Sequence, residues 1–156
     1  MGNGETFTPR QRRVSLHVAS LAKTVLYVED DSDDDLFFRR AMHAQDVDCQ
    51  IITVPDVPTA KSYLSGKAQY NDRERFPLPS LLLTDCTIHG IYESSIDLVL
   101  WIRSQPGFAD LPILCATGND NPALLEAFAK VGVTCHAKSS QMMEIAFAVK
   151  EALAGL

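Results

Sequence analysis

The chain has 156 residues, a formal net charge of −6 and 46% hydrophobic residues. That length fits one domain and leaves no room for a second of ordinary size. The apolar share excludes global disorder, and the acidic balance argues against nucleic acid or an anionic membrane as a partner, since both need a basic face.

Residues 1–22 differ from the rest. Gly2 to Arg13 is polar with Arg10, Arg12 and Arg13 clustered, and residues 1–22 are expected to form a flexible N-terminal extension to a domain over 23–156. The N-terminus lacks the pattern of a secretory signal and no apolar run reaches bilayer length, so a cytoplasmic location is expected. Cys49, Cys86, Cys115 and Cys135 stand singly with no C-x-x-C pair. They read as separate reduced thiols rather than a disulfide framework or a zinc knuckle.

From Thr24 the chain alternates. Val25 to Val28 is a short apolar run that reads as a buried strand ending at Glu29-Asp30-Asp31. Ser32 with Asp35 has capping-box spacing and opens a helix to about His43, and Asp31, Asp33 and Asp34 also read as acids that cap this helix. Gln50 to Val54 reads as a second strand, and Thr59 to Ser65 as a helix stopped at Gly66. Lys67 to Pro79 is a long polar connection. Leu81 to Thr84 is the most apolar strand and ends at Asp85.

Ser94 and Asp97 predict the next helix cap, with Leu98, Trp101 and Ile102 as its buried stripe. Ile113 to Ala116 is a fourth strand ending at Thr117. Asn121-Pro122 starts a helix that Gly132 stops. Val133 to Ala137 is a fifth strand ending at Lys138, and Met142, Ile145, Val149 and Leu153 mark the packed face of a last helix. Five strands alternating with five helices imply a doubly wound α/β sandwich around a parallel sheet.

In such sheets ligands bind outside the carboxyl ends of the strands. An acidic pair, a lone carboxylate, a hydroxyl and an amine would therefore meet at one edge. Crowded carboxylates repel unless a hard cation sits among them, and magnesium prefers oxygen ligands. A carboxylate beside such an ion can attack phosphorus to give an acyl phosphate, whose charge a hydroxyl and an ammonium can hold. Each residue alone also has a plain reading as a cap, a strand residue or a surface charge. Asp85 fits that reading least, because burying an unpaired carboxylate is costly.

Leu26-Tyr27-Val28-Glu29-Asp30-Asp31, Leu81 to Asp85, Leu111-Pro112-Ile113-Leu114-Cys115-Ala116-Thr117 and Lys138 together resemble the receiver domains of response regulators. The resemblance covers Thr24 to Leu153. It implies a flavodoxin-like (βα)5 fold with sheet order 2-1-3-4-5 and Asp85 as phosphoacceptor. It further implies Mg2+ held by Glu29, Asp30, Asp85 and the backbone carbonyl of Thr87, with Thr117 and Lys138 contacting the phosphoryl group. The long connection, with Tyr70, Asp72, Arg73, Phe76 and Pro77, resembles that of single-domain regulators whose partner is a phytochrome-like or hybrid histidine kinase. Such a domain catalyses only its own phosphorylation and dephosphorylation. Only Leu156 follows Gly155, so output is expected through contact with a downstream protein, and a homodimer is an open alternative.

The chain departs from the family pattern in four places. Ile88-His89-Gly90 replaces the usual Met-Pro, and Ser95 stands in for a glycine that opens the third helix. Ser139 replaces the proline after the lysine, and Cys135 occupies the aromatic switch position. These departures favour the competing reading, a pseudo-receiver that acts as a phosphorylation-independent interaction module. A flavin or nucleotide protein of the same fold would need a Gly-rich loop where Glu29-Asp30-Asp31 stands.

Overall fold

The computed structural model describes residues 22–88, 94–118, 120–139 and 141–156. Residues 1–21 of the expected N-terminal extension and His89-Gly90 lie outside them. The elements run β1 Lys23–Val28, α1 Ser32–Ala44, β2 Cys49–Val54, α2 Val57–Leu64, a short 3-10 turn Ala68–Asn71, β3 Leu81–Asp85, α3 Ser95–Ser104, β4 Ile113–Thr117, α4 Pro122–Lys130, β5 Thr134–Ala137 and α5 Met143–Ala154. All strand pairs are parallel, in the order β2-β1-β3-β4-β5 expected from the sequence. None of the described helices is long and apolar enough to cross a membrane.

Strand alternation sends successive side chains to opposite faces. Leu26, Val28 and Leu82 join a core with Val57, Leu98, Ile102 and Phe128 from α2, α3 and α4. Val25, Tyr27, Leu81 and Leu83 face the other way and pack on Phe38, Met42, Ile145 and Val149 of α1 and α5. β1 and β3 are flanked by strands on both edges and buried on both faces, which is why they read as unbroken apolar runs.

Two local expectations change. Of the caps offered for α1, the Ser32–Asp35 box does not form and Asp31 serves: its Oδ1 accepts from the amides of Asp33 (2.8 Å) and Asp34 (3.4 Å). A carboxylate one residue upstream outcompetes the serine hydroxyl because it also brings charge to the positive helix end. Asp35 instead pairs with Arg39 at 2.9 Å and accepts from the Thr53 hydroxyl at 2.6 Å. Two of the cysteines expected to stand singly are neighbours: the Cα atoms of Cys86 and Cys115 lie 6.0 Å apart. Their separation of 29 residues hides a neighbourhood that only strand pairing creates.

The long connection is braced. Tyr63, Tyr70 and Phe76 form a ring cluster with centroids 5.1 to 6.1 Å apart, and the Tyr63 hydroxyl donates to the Pro77 carbonyl at 2.7 Å. Arg73 donates to the carbonyls of Tyr63, Leu64 and Phe76 at 3.0, 3.0 and 3.2 Å, closing the end of α2. Gly66 turns beneath it at φ +64°, where a Cβ would meet the Arg73 guanidinium at 2.9 Å. Arg73→Ala strands three carbonyls together, so we expect a loss of about 2 kcal/mol in urea unfolding. Wild-type stability in that variant would mean the brace contributes nothing.

Candidate functional site

The site forms at the carboxyl edge of the sheet, where β1 and β3 end beside one another. Glu29 follows β1 and is 4% exposed; Asp85 ends β3 and is 6% exposed. Two buried acids side by side need compensation, and it comes from the far end of the chain. Lys138, directly after β5, places Nζ 2.7 Å from Glu29 Oε2, 2.7 Å from Asp85 Oδ2 and 2.6 Å from Asp34 Oδ2. The backbone directs it there, since the Lys138 amide donates to the Thr117 carbonyl at 2.7 Å and extends the ladder from β4.

Glu29 and Asp85 are also held by neutral donors. Glu29 Oε2 accepts from the buried Tyr27 hydroxyl at 2.9 Å, and Oε1 from the Asp31 amide at 3.0 Å. Asp85 Oδ1 accepts from the amide and hydroxyl of Thr87 at 2.8 and 3.1 Å. The Asp85 carbonyl accepts from the hydroxyls of Thr84 (3.1 Å) and Ser95. Ser95 thus puts a side-chain donor beneath the loop that follows Asp85.

Protonation follows from burial and pairing. Burial pushes Glu29 above the usual carboxylate range, opposed by its hydrogen bond from Lys138. Burial works against the Lys138 ammonium, but hydrogen bonds to Asp34, Asp85 and Glu29 outweigh it and hold the pKa above the ordinary lysine value. Burial, then the Glu29 charge, pushes the Tyr27 phenol far up, so it remains a donor.

Among the expected site residues, Glu29, Asp85 and Lys138 are in direct contact, and Thr87 touches Asp85. Thr117 is buried at the end of β4 and lines a cleft with Gly118, Asp120 and Lys138. Asp30 is exposed and lines an open acidic cleft of about 500 Å3 with Glu29, Asp31, Asp34, Asp85 and Thr87. The carboxylates that converge are Glu29, Asp34 and Asp85, whose oxygens lie within 4.8 Å of one another.

Asp34 is the residue that sequence reasoning missed, having been read only as a helix-end acid. It lies in the first turn of α1, five residues past Glu29, where nothing local sets it apart from Asp33 and Asp35. Tyr27 and Ser95 were also missed, because a strand tyrosine and a helix-start serine carry no mark of a site.

The donor set fits a hard divalent cation. It is all oxygen, and when the three acids are ionised Lys138 leaves two negative charges uncompensated.

No protein-family model matches the chain. The response regulator Rcp1 of Synechocystis sp. (strain ATCC 27184 / PCC 6803 / Kazusa) is 22% identical over 125 residues, covering 80% of this chain and 82% of that protein. The phosphorylated cyanobacterial phytochrome response regulator RcpA superposes with a TM-score of 0.74 at 23% identity, over 86% of this chain and 96% of that one. The Mn2+-bound form of response regulator Rcp1 does so with a TM-score of 0.66 at 21% identity, over 86% and 93%. The chain therefore has the receiver-domain fold, and its resemblance to response regulators, first carried by motifs, extends to a sequence relative and to solved structures.

Proposed function

We propose that the chain, over residues 23–156, is the phosphoacceptor receiver of a single-domain response regulator and takes its phosphoryl group on Asp85. The observation that carries this reading is the convergence of Glu29, Asp34 and Asp85 on one ammonium at the carboxyl edge of the sheet. A structural ion pair needs one acid per base; three acids on one lysine leave the charge deficit that a divalent ion fills.

Asp85 attacks the phosphorus of a sensor histidine kinase phosphohistidine or of a small acyl phosphate. The new O–P bond forms as the bond to the leaving group breaks, and the leaving group takes the electron pair. Lys138 and the Thr117 hydroxyl then bind the transferred oxygens. Mg2+, held by Glu29, Asp30, Asp85 and the Thr87 carbonyl, with Asp34 beside them, would neutralise charge at the phosphoryl group during transfer. RcpA is described as phosphorylated and Rcp1 as Mn2+-bound, and both descriptions support the reading. The chain is not an enzyme acting on other molecules. It works in the cytoplasm and signals by contact with a downstream protein, on the face formed by α4, β5 and α5.

Beryllofluoride, which mimics a phosphoryl group on a carboxylate, tests the whole set. With Mg2+ it should raise the unfolding midpoint more than either component alone, by about 3 kcal/mol of stability at a hundredfold excess over Kd. No rise would sink this reading and leave an interaction module with a receiver fold.

A further inference from the structure

The three acids on Lys138 are held unequally. Glu29 is also fixed by the Tyr27 hydroxyl and the Asp31 amide, and Asp85 by the amide and hydroxyl of Thr87. Asp34 accepts from Lys138 at 2.6 Å and, among the described residues, its side chain accepts from no other donor. That side chain is the most exposed of the three, at 29%. It enters from the first turn of α1 and lines the open acidic cleft with Glu29, Asp30, Asp85 and Thr87.

An ammonium has three N–H groups, and here each is committed to a different carboxylate. A phosphoryl group on Asp85 inherits the N–H that Asp85 held. A second phosphoryl oxygen finds the other two taken, by Glu29 and by Asp34. Glu29 is locked from two further sides, so Asp34 is the acid whose release would free a donor. Phosphorylation also adds negative charge to the cleft, which sets the anion against the Asp34 carboxylate.

We propose that Asp34 is a positioning residue that withholds Lys138 from the phosphoryl group, so that the phosphorylated state is held less tightly than the other residues would hold it. The inference rests on the phosphoacceptor reading and assigns the strength of phosphoryl binding at that site to one side chain. Asp34 acts in opposite directions on the two ligands of the cleft. Its charge draws in a divalent cation, but it repels the phosphoryl anion and occupies a donor that the anion needs. A metal ligand would favour both ligands, and a residue that only props up the fold would, when removed, weaken both.

Asp34→Asn removes the charge and keeps the shape, and Asp34→Ala also frees the N–H. The folded full chain is titrated with Mg2+ alone by calorimetry, then with beryllofluoride at saturating Mg2+ by fluorine NMR. In both variants Mg2+ binding should weaken about fivefold, while beryllofluoride binding tightens about tenfold. Asp33→Asn removes an equal charge from an exposed position on the same turn and should shift either constant by less than about twofold. Beryllofluoride affinity that is unchanged or weaker in both Asp34 variants, with wild type still binding it, would overturn this inference and leave the phosphoacceptor reading standing. An equal gain in Asp33→Asn would do the same, since net charge rather than contact with Lys138 would then be at work. No binding of beryllofluoride by wild type would overturn the reading and the inference together.

Discussion

Asp85→Asn is expected to gain no phosphoryl group from acetyl phosphate and Mg2+ under conditions in which the wild-type chain gains one, read by intact mass. The amide lacks the negative charge and the nucleophilic oxygen that form the O–P bond. The substitution is also clean. Glu29 and Asp34 still neutralise Lys138, and the amide oxygen can still accept from Thr87, so stability should fall by only about 1 kcal/mol. Loss of labelling in a folded variant then reports chemistry rather than collapse. A mass gain in Asp85→Asn at the wild-type rate would transfer the acceptor role to another carboxylate of the cleft.

Lys138→Met should have the largest effect on stability, a loss of about 3 kcal/mol in urea unfolding without divalent ions. The methionine fills a similar volume but leaves Glu29, Asp34 and Asp85 facing one another with no cation. Mg2+ should recover part of that loss and stabilise the variant more than wild type, since the ion then substitutes for the missing charge. The dependence on pH has a definite sign. Because the folded pKa of Lys138 is raised, the native state holds its proton more tightly than the unfolded chain does. Its contribution is therefore complete below the ordinary value of 10.5 and is lost as pH rises through the higher folded value. The gap between wild type and Lys138→Met should narrow in strong alkali, and also in acid, where protonation relieves the carboxylates that the variant leaves uncompensated. Equal stability of the two proteins at neutral pH would show that the three ion pairs contribute nothing net.

The fold was legible because its signals are local and periodic. Val25–Val28 and Leu81–Leu83 are apolar without interruption since they are covered on both faces, and Ser94-Asp97 and Asn121-Pro122 cap α3 and α4 as their spacing predicts. The pocket was legible in its strand-end residues, because a doubly wound sheet brings every strand end to one edge whatever lies between. What escaped was contact made across helices and across strands. Asp34 looks like any acid of a helix first turn until Lys138, 104 residues later, is seen to reach it. The closeness of Cys86 and Cys115 exists only through the pairing of β3 with β4, which cannot be read from isolated cysteines. The connection after α2 is polar by composition, yet its tyrosines and phenylalanine are what hold it.

A carboxylate in water has two interchangeable oxygens; the two of Asp85 are distinguishable. Oδ1 is fixed by the amide and hydroxyl of Thr87, and Oδ2 by the Lys138 ammonium. A half-turn of the side chain would have to break three hydrogen bonds together, so the group cannot trade one oxygen for the other at low cost. Whatever enters the cleft therefore meets a carboxylate of fixed orientation, whose two oxygens have different partners.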